Sequence, residues 1–331
     1  MNILFTCIGR RVSLLRSFRE AAAGLKLKAM FLGTDTTELS PALSLCDRGF
    51  VVKPTSDPKY IKQLLSIVKE NKVGLLVPTV DLDLGLLADN KQAFEKIGCK
   101  VLISDLKVVD ICRDKRRTCR FLVENGFDTP WTVSPRLALS KRKMDWPCFI
   151  KPWDGYASRG TAKVNNRNEL LFYSKRIPNP ICQEFIDGKE FTCDVYVDFE
   201  MNVRCVVPRK RIEIRSGEVS KGQVIKNKRI MDECSRLVKK LGAGPGVITI
   251  QLIVSKEGEL KIIEVNPRFG GGAPLSIKAG ADFPKWILQE LTGGKPRIVF
   301  DGFKDKLVML RYDAEVWIED GAVKGKIKNV K

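Results

Sequence analysis

The sequence predicts an α/β fold for the N-terminal third of the chain and an α+β fold for its C-terminal part. Short apolar runs alternate with helical patterns up to residue 105, which is typical of a parallel sheet with helices on its faces. Beyond residue 107 a helix leads into a strand-rich part, interrupted by helical patterns near 228–241 and 282–292. With 331 residues the chain can form two or three domains, and we place them at 1–107, 108–182 and 183–331.

The N-terminal elements follow from apolar spacing and from the residues that end each run. The run ILFTCI (3–8) ends at Gly9 and has the composition of a buried strand. Residues 10–26 then carry apolar side chains at helical spacing, from Val12 to Leu25. The same reasoning predicts strands at 28–33, 74–79 and 99–103 and helices at 58–70 and 88–97.

Polar and glycine residues follow these strands at their carboxyl ends, the edge at which a parallel sheet binds ligands. They are Gly9-Arg10-Arg11, Asp35, Asp81 and Asp83. The sequence contains no GxGxxG fingerprint, so a dinucleotide site is unsupported.

The central part of the chain combines a basic helix, a loop and further strands. The helix spans 106–124, carries the run RDKRR and stops at Asn125-Gly126. CFIKP (148–152) is typical of a strand ended by proline, and a loop at 153–161 follows it. Residues 181–199 have the pattern of two strands around a turn at Asp187-Gly188.

The segment IIEVNPR (262–268) has polar side chains at every second position of an apolar strand. Alternate residues of a strand share a face. One face therefore carries Glu264, Asn266 and Arg268, and the other Ile263, Val265 and Pro267. Taken alone, such a pattern also suits a strand with one solvated face.

The neighbouring strand VITIQLIV (247–254) supplies cross-strand partners for the polar face. A two-residue turn at Glu257-Gly258 sets Gln251 opposite Glu264 and Thr249 opposite Asn266. Oxygen donors grouped on one face suit Mg²⁺, which takes its remaining ligands from phosphate and water.

We therefore predict a site for one or two Mg²⁺ ions, or Mn²⁺, at Gln251, Glu264 and Asn266. Arg268 lies further along the same face, where it would neutralise charge on a transferred phosphoryl group. The glycines at 270–272 would let the backbone approach the substrate.

Composition narrows the class of protein and its partners. The formal charge of +19 suits an anionic partner, and nucleic acid is one alternative. The basic residues are nevertheless spread along the chain, and their densest clusters, 141–143 and 209–211, are short and lack an aromatic signature. Nucleic acid is thus an unlikely partner, and a small anionic substrate fits the charge as well.

Other function classes find little support. No stretch approaches the ~18 apolar residues of a membrane helix, so we expect no membrane partner. Ten cysteines without CxxC pairs and the lack of histidine argue against a zinc site or a disulfide framework. We expect a cytoplasmic, reduced protein, and a homo-oligomer remains open.

Four motifs occur in the order typical of ATP-grasp ligases, and the chain resembles that superfamily. They are DKRRTCRFLVENGFDTP (114–130), FIKPWDGYASRG (149–160), QEFIDGKEFTCDV (183–195) and EVNPR (264–268). Residues 1–105 resemble the domain that precedes ATP-grasp folds, so the resemblance covers most of the chain. It implies a parallel-sheet pre-ATP-grasp domain followed by an ATP-grasp fold of two subdomains.

Within the superfamily the chain is similar to the large subunit of carbamoyl-phosphate synthase. Gln251 as first metal ligand and the triplet NPR carry this likeness. The synthase subunit has two ATP-grasp units, whereas this chain has room for one, so it would be a stand-alone enzyme.

The resemblance implies that ATP lies between two small sheets and assigns residues to it. Lys115 and Lys151 would contact the α- and β-phosphates, as ammonium groups do. The loop 154–160 would cover the phosphates through backbone N–H groups. The remaining ATP contacts implied are Gly155, Ser158 and Gly160 in that loop, Glu184, Phe185 and Ile186 at the adenine, and Glu190 at the ribose hydroxyls.

The resemblance also implies the reaction. ATP would phosphorylate a carboxylate or bicarbonate, and an amine or similar nucleophile would displace phosphate from the acyl phosphate. Positioning, metal ions and arginines supply such catalysis, so no histidine is needed. The expected partners are small-molecule carboxylate and amine substrates.

Arginines on the strand within 206–219 are candidates for binding the acid. Period-2 spacing puts Arg209, Arg211 and Arg215 on one face, where guanidinium groups would bind carboxylate or phosphate. We assign Arg211 with Arg268 to catalysis, Arg209 and Arg215 to the substrate, and regard Arg311 as a weaker candidate. A solvated strand is the alternative for these residues, and a catalytically silent nucleotide-binding module is the alternative for the protein.

Overall fold

Three sheets of four or more strands organise the part of the chain that the computed structural model describes, residues 1–141, 144–155 and 160–319 with the short strand 322–324. The first sheet is parallel, and the other two are antiparallel. This architecture confirms the predicted α/β start and α+β continuation of the chain.

The N-terminal sheet has five parallel strands in the spatial order β3-β2-β1-β4-β5. The strands are β1 (Asn2–Thr6), β2 (Met30–Asp35), β3 (Arg48–Val51), β4 (Val73–Pro78) and β5 (Lys100–Val101). The helices between them are α1 (Val12–Gly24), α2 (Pro41–Ser44), α3 (Tyr60–Glu70), α4 (Leu84–Asp89) and α5 (Lys91–Lys96). The single helix predicted at 88–97 is thus two short helices. Asn90 separates them, because its side-chain amide donates to the Leu86 carbonyl at 2.9 Å and satisfies the end of α4.

The basic helix predicted at 106–124 is also two helices, α6 (Leu106–Arg113) and α7 (Lys115–Glu124). Asp114 between them has an extended backbone, and its carboxylate accepts a hydrogen bond from the Arg116 N–H at 2.9 Å. An aspartate at this position caps the second helix, so the chain turns here rather than continuing. The break places Lys115 in the first turn of α7.

The second sheet has four strands in the order β6-β9-β7-β8. Its elements are β6 (Thr132–Val133), α8 (Pro135–Ser140), β7 (Cys148–Pro152), β8 (Ala162–Val164), α9 (Arg167–Ser174) and β9 (Pro180–Glu184). A separate small core under this sheet includes Ile150, Leu170 and Cys182. Helices α6 and α7 contribute Cys112 and Leu122 to the larger core instead.

The third sheet has six strands in the order β14-β13-β10-β11-β12-β15. Its strands are β10 (Gly188–Val197), β11 (Val203–Arg215), β12 (Glu218–Val224), β13 (Gly246–Ser255), β14 (Leu260–Asn266) and β15 (Val308–Leu310). The associated elements are α10 (Lys228–Leu241), α11 (Ala273–Lys278), α12 (Phe283–Leu291) and a hairpin of β16 (Trp317–Glu319) and β17 (Ala322–Lys324). Helices α10 and α12 confirm the two predicted interruptions.

The two strands predicted around Asp187-Gly188 are β9 and β10, and they do not pair with each other. Strand β10 pairs with β11 and β13, and β9 pairs with β6 and β7, so neither has a free edge for the other. Residues 185–187 therefore connect two different sheets.

One large core joins the parallel sheet to the six-stranded sheet. The Phe18 ring on α1 packs edge-on against Phe5 of β1, with ring centroids 5.2 Å apart, and against Phe269 just beyond β14, at 5.9 Å. Aromatic packing of this kind fixes the end of β14 against the N-terminal part of the chain. It also brings the loops at the carboxyl edge of the parallel sheet close to the polar residues of β14.

Candidate active site

The polar residues of β13 and β14 lie in register on neighbouring strands. Gln251 pairs with Glu264 and Thr249 with Asn266, which confirms the predicted partners. One carboxylate and two side-chain amides therefore stand side by side on the sheet.

The turn that leads to this register differs from the predicted one. The Ser255 N–H donates to the Glu259 carbonyl at 2.8 Å, which leaves a three-residue loop, 256–258, instead of two residues. Gly258 has a φ of +88°, the left-handed conformation that such loops require. The longer loop shifts the pairing next to it by one residue.

A β-bulge at Ile263 reverses that shift. Leu252 pairs with Ile262 and Gln251 with Glu264, so Ile263 has no partner on β13. The predicted grouping of Ile263 with Val265 on one face is therefore wrong. Ile262 and Val265 are both buried in the large core, and the bulge between them turns Glu264 away from that core.

Two lysines approach Glu264 from the small sheet and from α7. The Lys115 Nζ lies 3.2 Å from the Glu264 Oε1 and donates to the Gly155 carbonyl at 2.6 Å. Lys151 on β7 is only 7% exposed. The pKa of Lys151 is lowered to about 8, chiefly by burial and also by the Lys115 charge, while the charges of Glu264 and Glu190 oppose the shift.

The donor set fits a metal ion that shares its ligands with phosphate. Within the described residues no three His, Cys, Asp or Glu side chains are grouped to hold a metal by themselves. Gln251, Glu264 and Asn266 offer oxygen atoms but only one negative charge. Such a set suits Mg²⁺ that retains phosphate and water ligands, rather than a metal held by protein alone.

A cavity of about 420 Å³ opens beside these residues. Lys115 and Gly155 line one side, Glu264 and Asn266 another, and Asp81 from the N-terminal sheet a third. Its volume is within the ordinary range for a small-molecule site.

The residues predicted to contact adenine lie where the two antiparallel sheets connect. The Lys261 Nζ donates to both carboxylate oxygens of Glu184, at 2.8 and 3.0 Å, which ties β9 to β14. The Phe185 ring lies under the Lys163 Nζ, 4.3 Å from the ring centroid, and Ile186 is half-buried. Their role toward the base stays a prediction.

The loop predicted to cover the phosphates is described in part. Gly155 packs against Pro152, where an added Cβ would lie 3.0 Å from the proline Cγ. Gly160 has a φ of +66° and so uses the conformational freedom of glycine. Ser158 lies outside the described residues, and its assignment stays a prediction.

Glu190 and Arg211 form an ion pair at the start of β10. The Arg211 Nη2 also donates to the Gly217 carbonyl at 3.0 Å, while its buried Nε has no partner among the described residues. A buried donor without a partner is costly, so this guanidinium is available to one further acceptor.

Arg209 and Arg211 lie on one face of β11, as predicted, because the pairing is regular from Arg209 to Arg211. Irregular pairing between Arg211 and Ile214 breaks the period-2 spacing before Arg215. Arg209 is 1% exposed and donates to buried Asp194 at 2.8 and 2.9 Å. The Arg215 side chain is 66% exposed, and the structure does not bring it to the metal ligands.

Arg268 is held by a residue from the N-terminal sheet. Its guanidinium forms a bidentate ion pair with Asp81, with Nε 2.8 Å from Oδ1. Burial by itself would lower the pKa of Arg268, but the charge and hydrogen bonds of Asp81 more than offset it and raise the pKa. Sequence reasoning placed Asp81 at a strand end and did not identify it as this partner.

Sequence reasoning also missed the buried carboxylate of Asp194. It accepts from the Ser276 Oγ at 2.6 Å as well as from Arg209, and is fully buried. Glu190, Thr192 and Asp194 alternate along β10 as Glu264 and Asn266 do along β14, and that signal could have found it.

The three glycines after Phe269 make room for side chains of this protein. A Cβ on Gly272 would lie 2.1 Å from the Arg209 Nη1, and one on Gly270 would lie 2.9 Å from the Thr249 Oγ1. The expectation that these glycines let backbone approach the substrate is therefore not needed to explain them.

Residues 112–272 match the ATP-grasp domain, and residues 3–102 match the PylC-like N-terminal domain. The chain contains an ATP-grasp domain. The two matches follow each other in the order that the motifs predicted.

Among curated ATP-grasp relatives, the chain is 27% identical to the carbamoyl phosphate synthase large chain of a Thermoanaerobacter species, over 72% of this chain. It spans 24% of that relative's length. It is 23% identical to the D-alanine–D-alanine ligase of Fusobacterium nucleatum, over 72% of this chain and 87% of the ligase.

A solved structure shares the ATP-grasp fold over nearly the whole chain. It is the biotin carboxylase domain of 2-oxoglutarate carboxylase from Hydrogenobacter thermophilus, in complex with MgADP and bicarbonate. The TM-score is 0.73 at 16% identity, over 92% of this chain and 73% of that one.

In the described residues no helix is both long enough and apolar enough to cross a membrane.

Proposed function

We propose that this protein is an ATP-dependent ligase that activates a carboxylate, or bicarbonate, as an acyl phosphate and transfers the acyl group to an amine or similar nucleophile. ADP and phosphate are the other products. The observation that carries the proposal is the meeting of two buried lysines with the oxygen donors of β13 and β14. Lys115 contacts Glu264 at 3.2 Å, and the same carboxylate acts on the pKa of Lys151.

The two lysines supply the positive charge that a bound triphosphate needs. In the protein alone, Glu264 partly compensates both ammonium groups. Phosphate oxygens bound beside Lys115 and Lys151 would take over that compensation and leave Glu264 free to accept a cation. Glu190, Glu184, Phe185 and Ile186 remain our proposal for the ribose and adenine contacts.

Gln251, Glu264 and Asn266 would hold one or two Mg²⁺ ions. Mg²⁺ held by these residues would neutralise charge on the phosphates and favour an in-line displacement. Arg268 lies on the same strand end, and Asp81 fixes its guanidinium through two contacts. A positioned guanidinium stabilises the negative charge that develops on the transferred phosphoryl group. Arg211, with its unpartnered Nε, is the second catalytic arginine of this proposal.

The relatives suggest which bond is made. Carbamoyl phosphate synthase and D-alanine–D-alanine ligase both appear among them by name. A carbamoyl-phosphate-synthase-like ligase that forms a carbon–nitrogen bond in the cytoplasm is thus the finer form of the proposal. The chain spans about a quarter of the synthase large chain, so the synthase reaction itself is not carried over.

The alternatives predict different behaviour. Nucleic-acid binding is not favoured, because the buried arginines around the site are paired with carboxylates instead of being free for phosphates. A catalytically silent module would be stabilised by ATP, yet no acid or amine would ever stimulate ADP release.

The test is ADP release by the full-length protein with MgATP and pooled small carboxylic acids and amines, with the products identified by mass spectrometry. We expect at least one pool to stimulate ADP release and to yield a condensed product. If every pool fails while ATP still raises the Tm, the protein is a silent nucleotide-binding module.

Glu264→Gln tests the metal site. This change keeps the shape of the side chain and removes its charge, so we expect ADP release to fall roughly 100-fold or more while folding is retained. Glu259→Gln is the matched control, since Glu259 is an exposed carboxylate beside the same strand and contacts Lys261 at 3.6 Å. Unchanged turnover in Glu264→Gln would show that the metal ligands are assigned wrongly.

A further inference from the structure

Three distant segments of the chain meet at one carboxylate near Arg268. The Arg11 Nη1, in the loop after β1, lies 3.2 Å from the Glu218 Oε1 at the start of β12. The Arg311 Nη1, just after β15, donates to the Glu218 Oε2 at 3.0 Å and its other amino group donates to the Gly271 carbonyl. The N-terminal sheet, the six-stranded sheet and the glycine segment thus contribute to one cluster.

The charge balance of this cluster differs from that of its neighbours. Other buried arginines at the site match carboxylates one to one: Arg209 with Asp194, Arg211 with Glu190 and Arg268 with Asp81. Glu218 instead forms ion pairs with two guanidinium groups, those of Arg11 and Arg311. One positive charge is therefore left over, and exposed Arg10 adds its field at Glu218.

Burial and the excess positive charge of the cluster both lower the pKa of Arg11. Burial lowers the pKa of Arg11, Glu218 opposes this effect, and the like charges of Arg268 and Arg311 lower the pKa further. These arginines are close enough to repel one another, and a bound anion would relieve the repulsion.

The backbone at Gly271 positions the side chains of the cluster, and solvent can reach them. An added Cβ on Gly271 would lie 2.6 Å from the Arg11 Nη1 and 3.0 Å from the Glu218 carboxylate, so glycine allows these groups to pack on the backbone. The side chains of Arg11, Glu218 and Arg311 are 18%, 38% and 33% exposed, which leaves them open to a small molecule.

We propose that Arg11 and Arg311 bind a substrate carboxylate that is not itself activated. The proposal rests on the proposed ligase function, since the reacting carboxylate is expected at Arg268 and the metal ligands. One surplus charge matches one monoanion, and planar guanidinium groups bind carboxylates through paired hydrogen bonds. That carboxylate belongs either to an acid with two carboxylates or to an amino acid that acts as the nucleophile. In both cases the N-terminal sheet helps to select the substrate.

The test measures the Tm of the full-length protein with Mg²⁺ and a non-hydrolysable ATP analogue. The probes are acetate, succinate and glutarate in one series and the standard amino acids in another. We expect acetate to have little effect and at least one dicarboxylate or amino acid to raise the Tm. Stabilisation by succinate or glutarate identifies a second carboxylate of the acid, and stabilisation by a neutral amino acid identifies the nucleophile.

Arg11→Gln should abolish this stabilisation. It should also raise the dissociation constant of the stabilising probe, measured by calorimetry, by roughly 10-fold or more. Arg16→Gln, an exposed arginine on α1, is the matched control and should behave as the wild type. Without probes Arg11→Gln should melt no lower than the wild type, because Arg311 still serves Glu218. Gly271→Ala displaces the Arg11 side chain without removing it, and should weaken the binding of the same probe.

Two results overturn the inference: equal stabilisation of Arg11→Gln and wild type, or no stabilisation of the wild type by any probe. The nucleotide analogue alone reports separately on the proposed function. If it fails to stabilise the wild type, the ATP site is in error, while the carboxylate series still decides the role of Arg11.

Discussion

At the scale of single residues, Lys151 is a buried lysine whose pKa lies below its ordinary value. It is 7% exposed, and its pKa of about 8 means that its ammonium is easily lost in the free protein. Phosphate oxygens would favour the charged form, so binding a nucleotide would raise this pKa again.

The expected consequence is a pH-dependent affinity for nucleotide. Above pH 8 the free protein must take up a proton to bind, so we expect the dissociation constant of a MgATP analogue to rise by up to about tenfold per pH unit. The free protein gains stability over the same range, because the penalty of burying a charged lysine disappears as Lys151 deprotonates. Calorimetric titrations from neutral to alkaline pH measure the first effect.

Lys151→Arg is the control for this titration, since a guanidinium stays charged throughout. Its affinity should be weaker at neutral pH and nearly constant as pH rises. A wild-type affinity that is equally flat would show that Lys151 does not contact the phosphates.

The buried pair of Arg209 and Asp194 leads to a prediction about stability. Asp194→Ala leaves a guanidinium buried without its partner and should lower the free energy of unfolding by about 3–5 kcal/mol. The double change Asp194→Leu with Arg209→Met removes both charges and should recover much of that loss. Denaturant unfolding measures both variants. If Asp194→Ala is stable but has lost substrate binding, Arg209 acts on the substrate, as the sequence suggested.

At the scale of elements, the hairpin of β13 and β14 decides whether Glu264 faces the site. The three-residue loop displaces the pairing by one position, and the bulge at Ile263 restores it before Gln251. The two irregularities cancel. The two-residue turn assumed from the sequence therefore gives the right partners for Gln251 and Thr249, although the real hairpin has a longer loop and a bulge.

The loop itself is testable through Gly258. A side chain at its φ of +88° is strained, so Gly258→Ala should lower the free energy of unfolding by roughly 1 kcal/mol. Gly24→Ala is the matched control, because Gly24 ends α1 with free space around its Cα and should be neutral or slightly stabilising. Thermal unfolding compares the two. A Gly258→Ala protein as stable as Gly24→Ala would contradict the left-handed turn.

At the scale of the whole molecule, the active site depends on contact between distant parts of the chain. Asp81 follows β4 of the parallel sheet, and Arg268 follows β14, 187 positions later. Neither partner can set the other's geometry until the two sheets pack through the shared core around Phe18 and Phe269.

Asp81→Asn should therefore impair catalysis more than nucleotide binding. Loss of the charge frees the Arg268 guanidinium to shift, and displacements of about 1 Å at a reacting group cost up to roughly 100-fold in rate. We expect kcat for ADP release to fall by about 10–100-fold with the KM for ATP little changed. Asp110→Asn, which changes another carboxylate on the same cavity wall, is the control and should retain activity.

An equal loss in both variants would point to a general effect of charge on the cavity. An increase in the KM for ATP alone would place Asp81 at the nucleotide instead of at Arg268.

The sequence by itself determined the order of the main elements and the chemistry of the site. Apolar periodicity predicts α1, β4 and α10, because burial of one face depends only on local spacing. Alternation along β14 and its pairing with β13 predicted the neighbours Gln251 and Glu264, since cross-strand partners in a hairpin are also local.

Only the tertiary structure decided which charges meet. The pairing of Asp81 with Arg268 and the sharing of Glu218 by Arg11 and Arg311 join residues that are far apart in the chain. The separation of β9 from β10 into different sheets likewise depended on which strands already occupied their edges. Such contacts are set by how complete sheets pack, and a pattern of neighbouring residues carries no information about them.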